Sequence, residues 1–340
     1  MDKNNSNKNV LVVGGAGYIG SHMVRLLLEK GYKPLVFDNL STGYKKFIPG
    51  NVELFKGDLK NAGDVRKVFE KIKISAVMHF ASYIVVSESV REPLKYYENN
   101  VIGGINLLKQ MGACGVDKFI FSSSAAVYGK AERVPIKEND RIAPINPYGV
   151  TKRMTEKILE DLASAGKIRY ISLRYFNAAG AHASGDIGEN HVPETHLIPN
   201  VLAAAKGRSG TVEVYGNDYP TPDGTCVRDY IHVMDLAEAH LLALRYLFSG
   251  GASDVFNLGC GRGYSVKEII LRAEKITRKN IRIKFCARRS GDSAKLIADN
   301  KKISKVLKWL PRRGLDEIIA SAWRWELNKK GEKHDISAGK

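Results

Sequence analysis

Through the first half of the chain, short β-branched runs alternate with stretches of helical periodicity. The runs are VLVV at 10–13, PLVF at 34–37, VELF at 52–55, SAVMHF at 75–80, KFIFSS at 118–123 and RYISLRYF at 169–176. Parallel neighbours need a crossover, and the helical stretches between runs supply it, so the rhythm predicts an α/β fold around a parallel, doubly wound sheet. The first crossover helix is expected to start after Gly20, to carry Met23, Val24, Leu26, Leu27 and Leu28, and to end at Gly31 in a left-handed cap. A chain of 340 residues, 44% of them hydrophobic, has room for such a sheet and a smaller lobe beside it.

From about residue 178 the rhythm breaks, with loop-forming GAHASGDIGEN at 180–190 and GNDYPTPDGT at 216–225. VMDLAEAHLLALRYLF at 233–248 then reads as a helix, and VFNLG at 255–259 as a strand that rejoins the main sheet. The expected organisation is a first domain over 1–177, joined again by 233–259. A discontinuous, smaller C-terminal α/β substrate lobe is expected over 178–330, and a frayed tail over 331–340.

No run of eighteen apolar residues occurs, and the polar start MDKNNSNKN lacks the apolar stretch of a signal peptide. Cys114, Cys226, Cys260 and Cys286 are scattered without CxxC spacing, so no disulfide framework or zinc site is expected and no metal is assigned. Ordinary thiols and no exporting segment suit a cytoplasmic protein. The net charge is +17, and residues 261–340 hold 22 Lys/Arg against 9 Asp/Glu. Such an excess attracts polyanions, but no nucleic-acid-binding motif accompanies it, so it is read as a basic solvated surface.

GGAGYIG places Gly14, Gly17 and Gly20 directly after a strand and at a helix start. Glycine there permits a tight turn and lets main-chain N–H groups and the positive helix end approach a pyrophosphate. Asp38 closes the next strand in VFDN, where a carboxylate accepts from ribose hydroxyls and repels a 2′-phosphate. Together these predict a Rossmann-type domain that binds NAD and not NADP. Asp58, in the GDL after the third strand, either meets the adenine or caps a helix.

NPYGVTK at 146–152 sets Tyr148 four residues before Lys152, on one helical face if Pro147 opens the helix. On spacing alone this is an ordinary helix surface. Ser122, Ser123 and Ser124, in SSSAAVYG, end a strand that feeds the same carboxyl edge of the sheet, and there the third serine can bond a substrate hydroxyl. A tyrosine is a poor base at neutral pH unless cations favour its phenolate, which Lys152 and an oxidised nicotinamide would do.

The glycine loop, Ser124 and the YxxxK of Tyr148 and Lys152 resemble the extended short-chain dehydrogenase/reductase family. LRYFNAAGAH at 173–182, YGNDYPTPDGTCVRDYIHVMDLAEAH at 215–240, and the pairing of HFAS with ESVREPLKYYENNV are similar to its UDP-galactose 4-epimerase branch. The similarity runs from about residue 9 to 327. It implies interconversion of UDP-galactose and UDP-glucose on a tightly held NAD. Ser124 and Tyr148 would handle the sugar 4-hydroxyl and Lys152 the nicotinamide ribose. Arg228 and Arg289 would hold the diphosphate, Asn177 and Leu197 would lie nearby, and Asp292 would meet the uridine ribose. Implied cofactor contacts are Gly14, Gly17, Tyr18, Ile19, Asp38, Asn39, Asp58, Leu59, Phe80, Ala81, Asn99, Tyr148, Lys152 and Tyr175. A homodimer through the helices after the fourth and fifth strands is implied as well.

Four positions depart from the branch. Ile84 stands where some members carry lysine, which removes a positive charge near the cofactor phosphates. Thr195 and His196 replace two asparagines before LIP, and Leu296 falls where a tyrosine can narrow the sugar pocket. The last change predicts tolerance of UDP-N-acetylhexosamines. The rival readings are an epimerase of UDP-xylose/arabinose or UDP-glucuronate and a non-catalytic NAD-binding sensor. A dehydratase is disfavoured because Ala125 and Ala126, not an acid pair, follow Ser124.

Overall fold

The structure is a computed structural model that describes residues 8–329 except 209, 290 and 291, so the tail expected at 331–340 lies outside the described residues. Its main sheet is built from β1 (Asn9–Val13), β2 (Lys33–Asp38), β3 (Leu54–Lys56), β4 (Ala76–His79), β5 (Lys118–Ser124), β6 (Arg169–Tyr175) and, after β7 (Asn177–Ala179), β8 (Val212–Tyr215) and β9 (Val227–His232), by β10 (Asp254–Leu258). The order is β10-β6-β5-β4-β1-β2-β3 and every pair is parallel. From β1 the chain winds to β2 and β3, then crosses to β4 on the other side. The crevice where ligands bind such sheets therefore opens at the carboxyl ends of β1 and β4.

Helices α1 (Tyr18–Glu29), α2 (Ala62–Lys71), α3 (Val86–Arg91), α4 (Pro93–Tyr97), α5 (Gly103–Ala113) and α6 (Pro147–Ser164) follow in chain order. Strands buried on both faces explain the unbroken apolar runs. On β1, Val10 and Val12 enter the core shared with Met23, Leu27 and Leu244, whereas Leu11 and Val13 enter the opposite core with Phe69, Leu107 and Leu159.

The chain goes on through α7 (Leu197–Ala205), α8 (Val233–Phe248), β11 (Gly263–Ser265), α9 (Val266–Thr277), β12 (Ile283–Cys286), β13 (Lys295–Leu296), α10 (Lys301–Leu307) and α11 (Leu315–Asn328), of which α8 packs on α1 and, with α10, joins the first core through Leu244, Ile303 and Leu307. β9 is the hub of a small sheet, with β11 antiparallel and β7 and β13 parallel to it. A third core joins α7, α9 and α11 through Val201, Leu202, Ile269, Ile270, Ile318 and Ile319.

The first helix begins at Tyr18, not after Gly20. Gly20 sits inside the first turn because a Cβ there would fall 2.1 Å from the Gly14 carbonyl oxygen, so only glycine lets this turn press on the loop before it. The left-handed glycine at Gly31 is present, with φ +79°. All four cysteines are free, and no described helix is long and apolar enough to cross a membrane.

Candidate active site

The loop after β1 is pinned at Gly14, whose N–H donates to the Phe37 carbonyl at 2.8 Å. Gly14 has φ +80°, and a Cβ on it would lie 2.5 Å from the Ala81 nitrogen. Gly17 caps α1 without a side chain, and no acidic residue occupies the first turn. The first N–H groups of α1 thus carry the positive end of the helix into the crevice, a cradle for phosphate. Tyr18 turns its ring away and donates to the Gly180 carbonyl at 2.6 Å, while Ile19 packs on the core. These two residues can serve a phosphate only through their main chain.

At the end of β2, Asp38 accepts from Ala16 N at 2.9 Å and from Leu40 N at 2.8 Å. Burial pushes its carboxyl up and those two N–H donors oppose the rise. The carboxylate thus braces the glycine loop as well as facing the crevice edge expected to hold a ribose. Asn39 donates to Asp58 at 3.3 Å, and Asp58 accepts from Lys60 N at 2.8 Å in a local turn, whereas the cap of α2 is Asn61, which accepts from Gly63 N at 2.9 Å. Leu59 is buried, and Phe80 and Ala81 both donate to the Val13 carbonyl, at 2.8 and 3.1 Å.

Asn99 lies in a π-helical turn, Glu98–Ile102, between α4 and α5. Its amide donates to Asn100 Oδ1 at 2.9 Å. Asn100 also accepts from Tyr83 N at 2.9 Å and donates to Thr151 of α6 at 3.1 Å. An isolated π turn costs regular hydrogen bonding and often marks a functional site.

Helix α6 starts where Asn146 accepts from Gly149 N at 2.8 Å, with Pro147 in the first turn. Tyr148, Lys152 and Glu156, four apart, are all buried on the face turned to β5. Each meets one serine of that strand. Ser124 hydrogen-bonds Tyr148, the Ser122 carbonyl accepts from Lys152 Nζ at 2.8 Å, and Ser123 Oγ donates to Glu156 at 2.7 Å. Tyr175 on β6 shares a short hydrogen bond with the Ser122 hydroxyl.

The electrostatics differ from expectation in one respect. Burial pushes the Tyr148 phenol above its ordinary value, and only the Ser124 hydrogen bond opposes this. Lys152 does not lower it: its ammonium lies 5.8 Å from the Tyr148 ring centre, and burial pulls its own pKa down to about 7 against the opposing pull of Glu156. Desolvation outweighs charge here because both groups are enclosed by protein.

Across the crevice, Arg228 of β9 donates to the carbonyls of Val227 at 3.0 Å and Ser293 at 2.7 Å, and reaches Asp292 at 3.4 Å. Asp292 N donates to the Arg289 carbonyl at 3.2 Å, and the exposed Arg289 guanidinium stacks 3.8 Å over the Tyr215 ring. Both arginines and Asp292 are therefore neighbours, with Asp292 already engaged by Arg228. Asn177 spends its amide on the Asp229 carbonyl at 2.9 Å, and Leu197 opens α7 behind His196. Leu296 is in register with Arg228 and packs on Ala125, Tyr128 and Ile136 just past Ser124. Ile84 is exposed in the loop after β4.

Sequence reasoning missed three supports of this site. Glu156 and Arg174 form a buried fork, with Nε–Oε1 2.8 Å and Nη2–Oε2 2.7 Å, and Tyr128 donates onward to Asn257 at 2.7 Å while accepting from Arg174 at 2.9 Å. Asp229, fully buried, accepts from Cys260 N, Gly261 N and Ala298 N at 2.7, 3.0 and 3.2 Å, and burial lifts its pKa to about 6. The four-residue spacing of Tyr148, Lys152 and Glu156 was the available signal for the first of these. Asp229 lay inside the VRDY that supplied Arg228, with nothing in its spacing to mark it.

The profile of the NAD dependent epimerase/dehydratase family matches residues 10–259. The chain is 50% identical over 323 residues, 95% of its length and 98% of the other, to the UDP-glucose 4-epimerase of Rhizobium meliloti (strain 1021). A crystal structure of UDP-glucose 4-epimerase from Brucella ovis in complex with NAD superposes with TM-score 0.90 at 47% identity, covering 93% of this chain and 97% of that one. The UDP-Glc/GlcNAc 4-epimerase of Campylobacter jejuni superposes with TM-score 0.83 at 41% identity, covering 95% and 100%. With the glycine cradle, the strand-end serine and the Tyr148–Lys152 face in place, the chain belongs to the NAD-dependent epimerase/dehydratase family.

Proposed function

We propose that the protein is an enzyme that interconverts UDP-galactose and UDP-glucose by oxidation at C4, rotation of the bound 4-keto sugar and reduction on its other face. The observation that carries this reading is the register of Ser124, Tyr148 and Lys152 beside the phosphate cradle of α1. The cradle fits NAD, since glycine at 14 and 20 lets the loop close on Ala81 and on itself at the helix start, and no acidic side chain in the first turn opposes the pyrophosphate. NAD, when bound, accepts the hydride from C4 and returns it.

In this reading Ser124 orients the sugar 4-hydroxyl and Tyr148 takes its proton, then gives it back to the carbonyl oxygen after the sugar has turned. Ser124 opposes the burial that keeps its phenol protonated, and the positive nicotinamide ring of bound NAD would add to that opposition. Arg228 and Arg289 hold the diphosphate, where guanidinium forks match phosphate oxygens, and leave the hexose free to rotate. Asp38 selects NAD over NADP at the adenosine ribose.

Leu296 beside Ala125 supports a second substrate class, UDP-GlcNAc and UDP-GalNAc, because a leucine there leaves more width than a tyrosine. The homodimer reading is supported by exposed Val90, Leu94 and Ile102 on the helical stretches after β4 and by Met154 on α6. Free thiols support the reading of a cytoplasmic location. The decisive experiment follows purified protein from UDP-galactose to UDP-glucose without added cofactor, with UDP-GlcNAc in parallel. Turnover of the first without the second would leave the epimerase and remove the wider specificity. Turnover of neither would remove both.

A further inference from the structure

We propose that Glu189, His191, Glu194 and His196 bind one divalent cation of the zinc class. The four lie within eight residues of the loop that leads into α7, and their ligand atoms all fall within 4.8 Å of one another. Tetrahedral coordination at the usual bond lengths puts donor atoms about 3.3 Å apart. The Nδ1 atom of His196 is 2.8 Å from Glu189 Oε1 and 3.0 Å from Glu194 Oε1. That of His191 is 3.2 Å from Glu189 Oε1 and 3.8 Å from Glu194 Oε2. These spacings bracket the tetrahedral value.

Each histidine lies within ion-pair distance of both carboxylates. His196 shares a hydrogen bond with Glu194, and the two carboxylates raise its pKa. His191 Nδ1, by contrast, is buried without a hydrogen-bond partner despite its closeness to Glu189. The 3.2 Å between His191 Nδ1 and Glu189 Oε1 is the separation expected of two ligands on one tetrahedral metal. Two carboxylates balance a divalent charge, and two imidazoles favour zinc-class ions over calcium or magnesium.

The ligands are also held from behind. Glu194 Oε1 accepts from the main-chain N–H groups of Thr195 and His196, both at 2.8 Å, and the Glu189 carbonyl accepts from Trp325 Nε1 of α11 at 2.8 Å. Such outer contacts fix ligand orientation. The His191 ring meets the edge of Tyr18, 6.3 Å between centroids, in the first turn of the cofactor helix. A bound cation would thus tie α1, α7 and α11 together beside the active site.

Untagged, chelator-treated full-length protein titrated with CoCl2 and ZnCl2 tests this. The expected result is one Co2+ per chain with the strong visible absorption of a four-coordinate site, displaced by one equivalent of Zn2+, and a higher Tm with Zn2+. His191→Ala and Glu194→Gln should each weaken Zn2+ binding at least tenfold, whereas His182→Ala should not. Absence of saturable uptake by the folded protein overturns the proposal, as does uptake unchanged in the His191→Ala/His196→Ala double variant. Should the histidine variants fail to fold, Glu194→Gln alone decides. Metal content is read without any sugar substrate, so failure here and failure of the epimerase reading are separate results.

Discussion

Lys152 donates from Nζ to the main-chain carbonyl of Ser122, 2.8 Å away at the end of β5, and burial holds the amine's pKa down to about 7. In the unfolded chain the same amine titrates near its ordinary value, about 10.4. Between these values the unfolded state binds more protons, so this group's contribution to stability rises with pH across that window, and its full penalty stands below about pH 7. Lys152→Met should therefore raise the Tm of the NAD-free protein by at least about 2 °C at pH 6 and by less at pH 9. Scanning calorimetry at the two pH values checks this, and an equal shift at both would remove the burial argument.

Tyr148→Phe keeps the ring and removes the proposed proton acceptor. Turnover of UDP-galactose should fall about 10²- to 10⁴-fold, with circular dichroism unchanged. A variant as active as the parent would move the base elsewhere.

Glu156 is fully buried, and its partner Arg174 nearly so. Glu156→Ala strands a guanidinium in the interior and should cost about 3–5 kcal/mol in urea unfolding, whereas replacing both by Leu and Met should recover much of the loss. Because Ser123 also bonds Glu156, the single variant should lower activity through a displaced β5 end as well.

Asp38→Ala releases both Ala16 N and Leu40 N from their acceptor. NAD should dissociate at least about tenfold more readily, and the preference over NADP should narrow as the carboxylate that repels a 2′-phosphate is lost. Equilibrium dialysis with each cofactor measures both effects.

Arg228→Ala should raise KM for UDP-galactose more than it lowers kcat, the mark of binding energy common to ground and transition states. Arg289→Ala should do the same more weakly, because its guanidinium is exposed over Tyr215. Steady-state kinetics on both variants would expose a reversed order.

The strands of the main sheet were legible because unbroken apolar runs such as VLVV are what burial on both faces demands. The start of α1 was not, since Gly20 reads as a helix boundary until the close approach of Gly14 is seen. At the site, Tyr148 and Lys152 read by spacing as an ordinary helix surface, and it was the company of Ser124 and the glycine loop that marked them. What Ser122 and Ser123 do depended on how β5 lies along α6, a tertiary register that no local pattern encodes. For the same reason His196 read only as a replacement for an asparagine: the carboxylates that surround it acquire meaning once the loop has closed on itself.

The π turn at Glu98–Ile102 accommodates one residue more than a regular helix would over the same rise. Removing any one residue there would restore α-helical winding and swing α4 by about 100° relative to α5. Asn100 would then leave Tyr83 and Thr151 together. This stretch should accept many replacements of its exposed side chains yet reject a change of length, so among related chains it ought to be a place where deletions are not found.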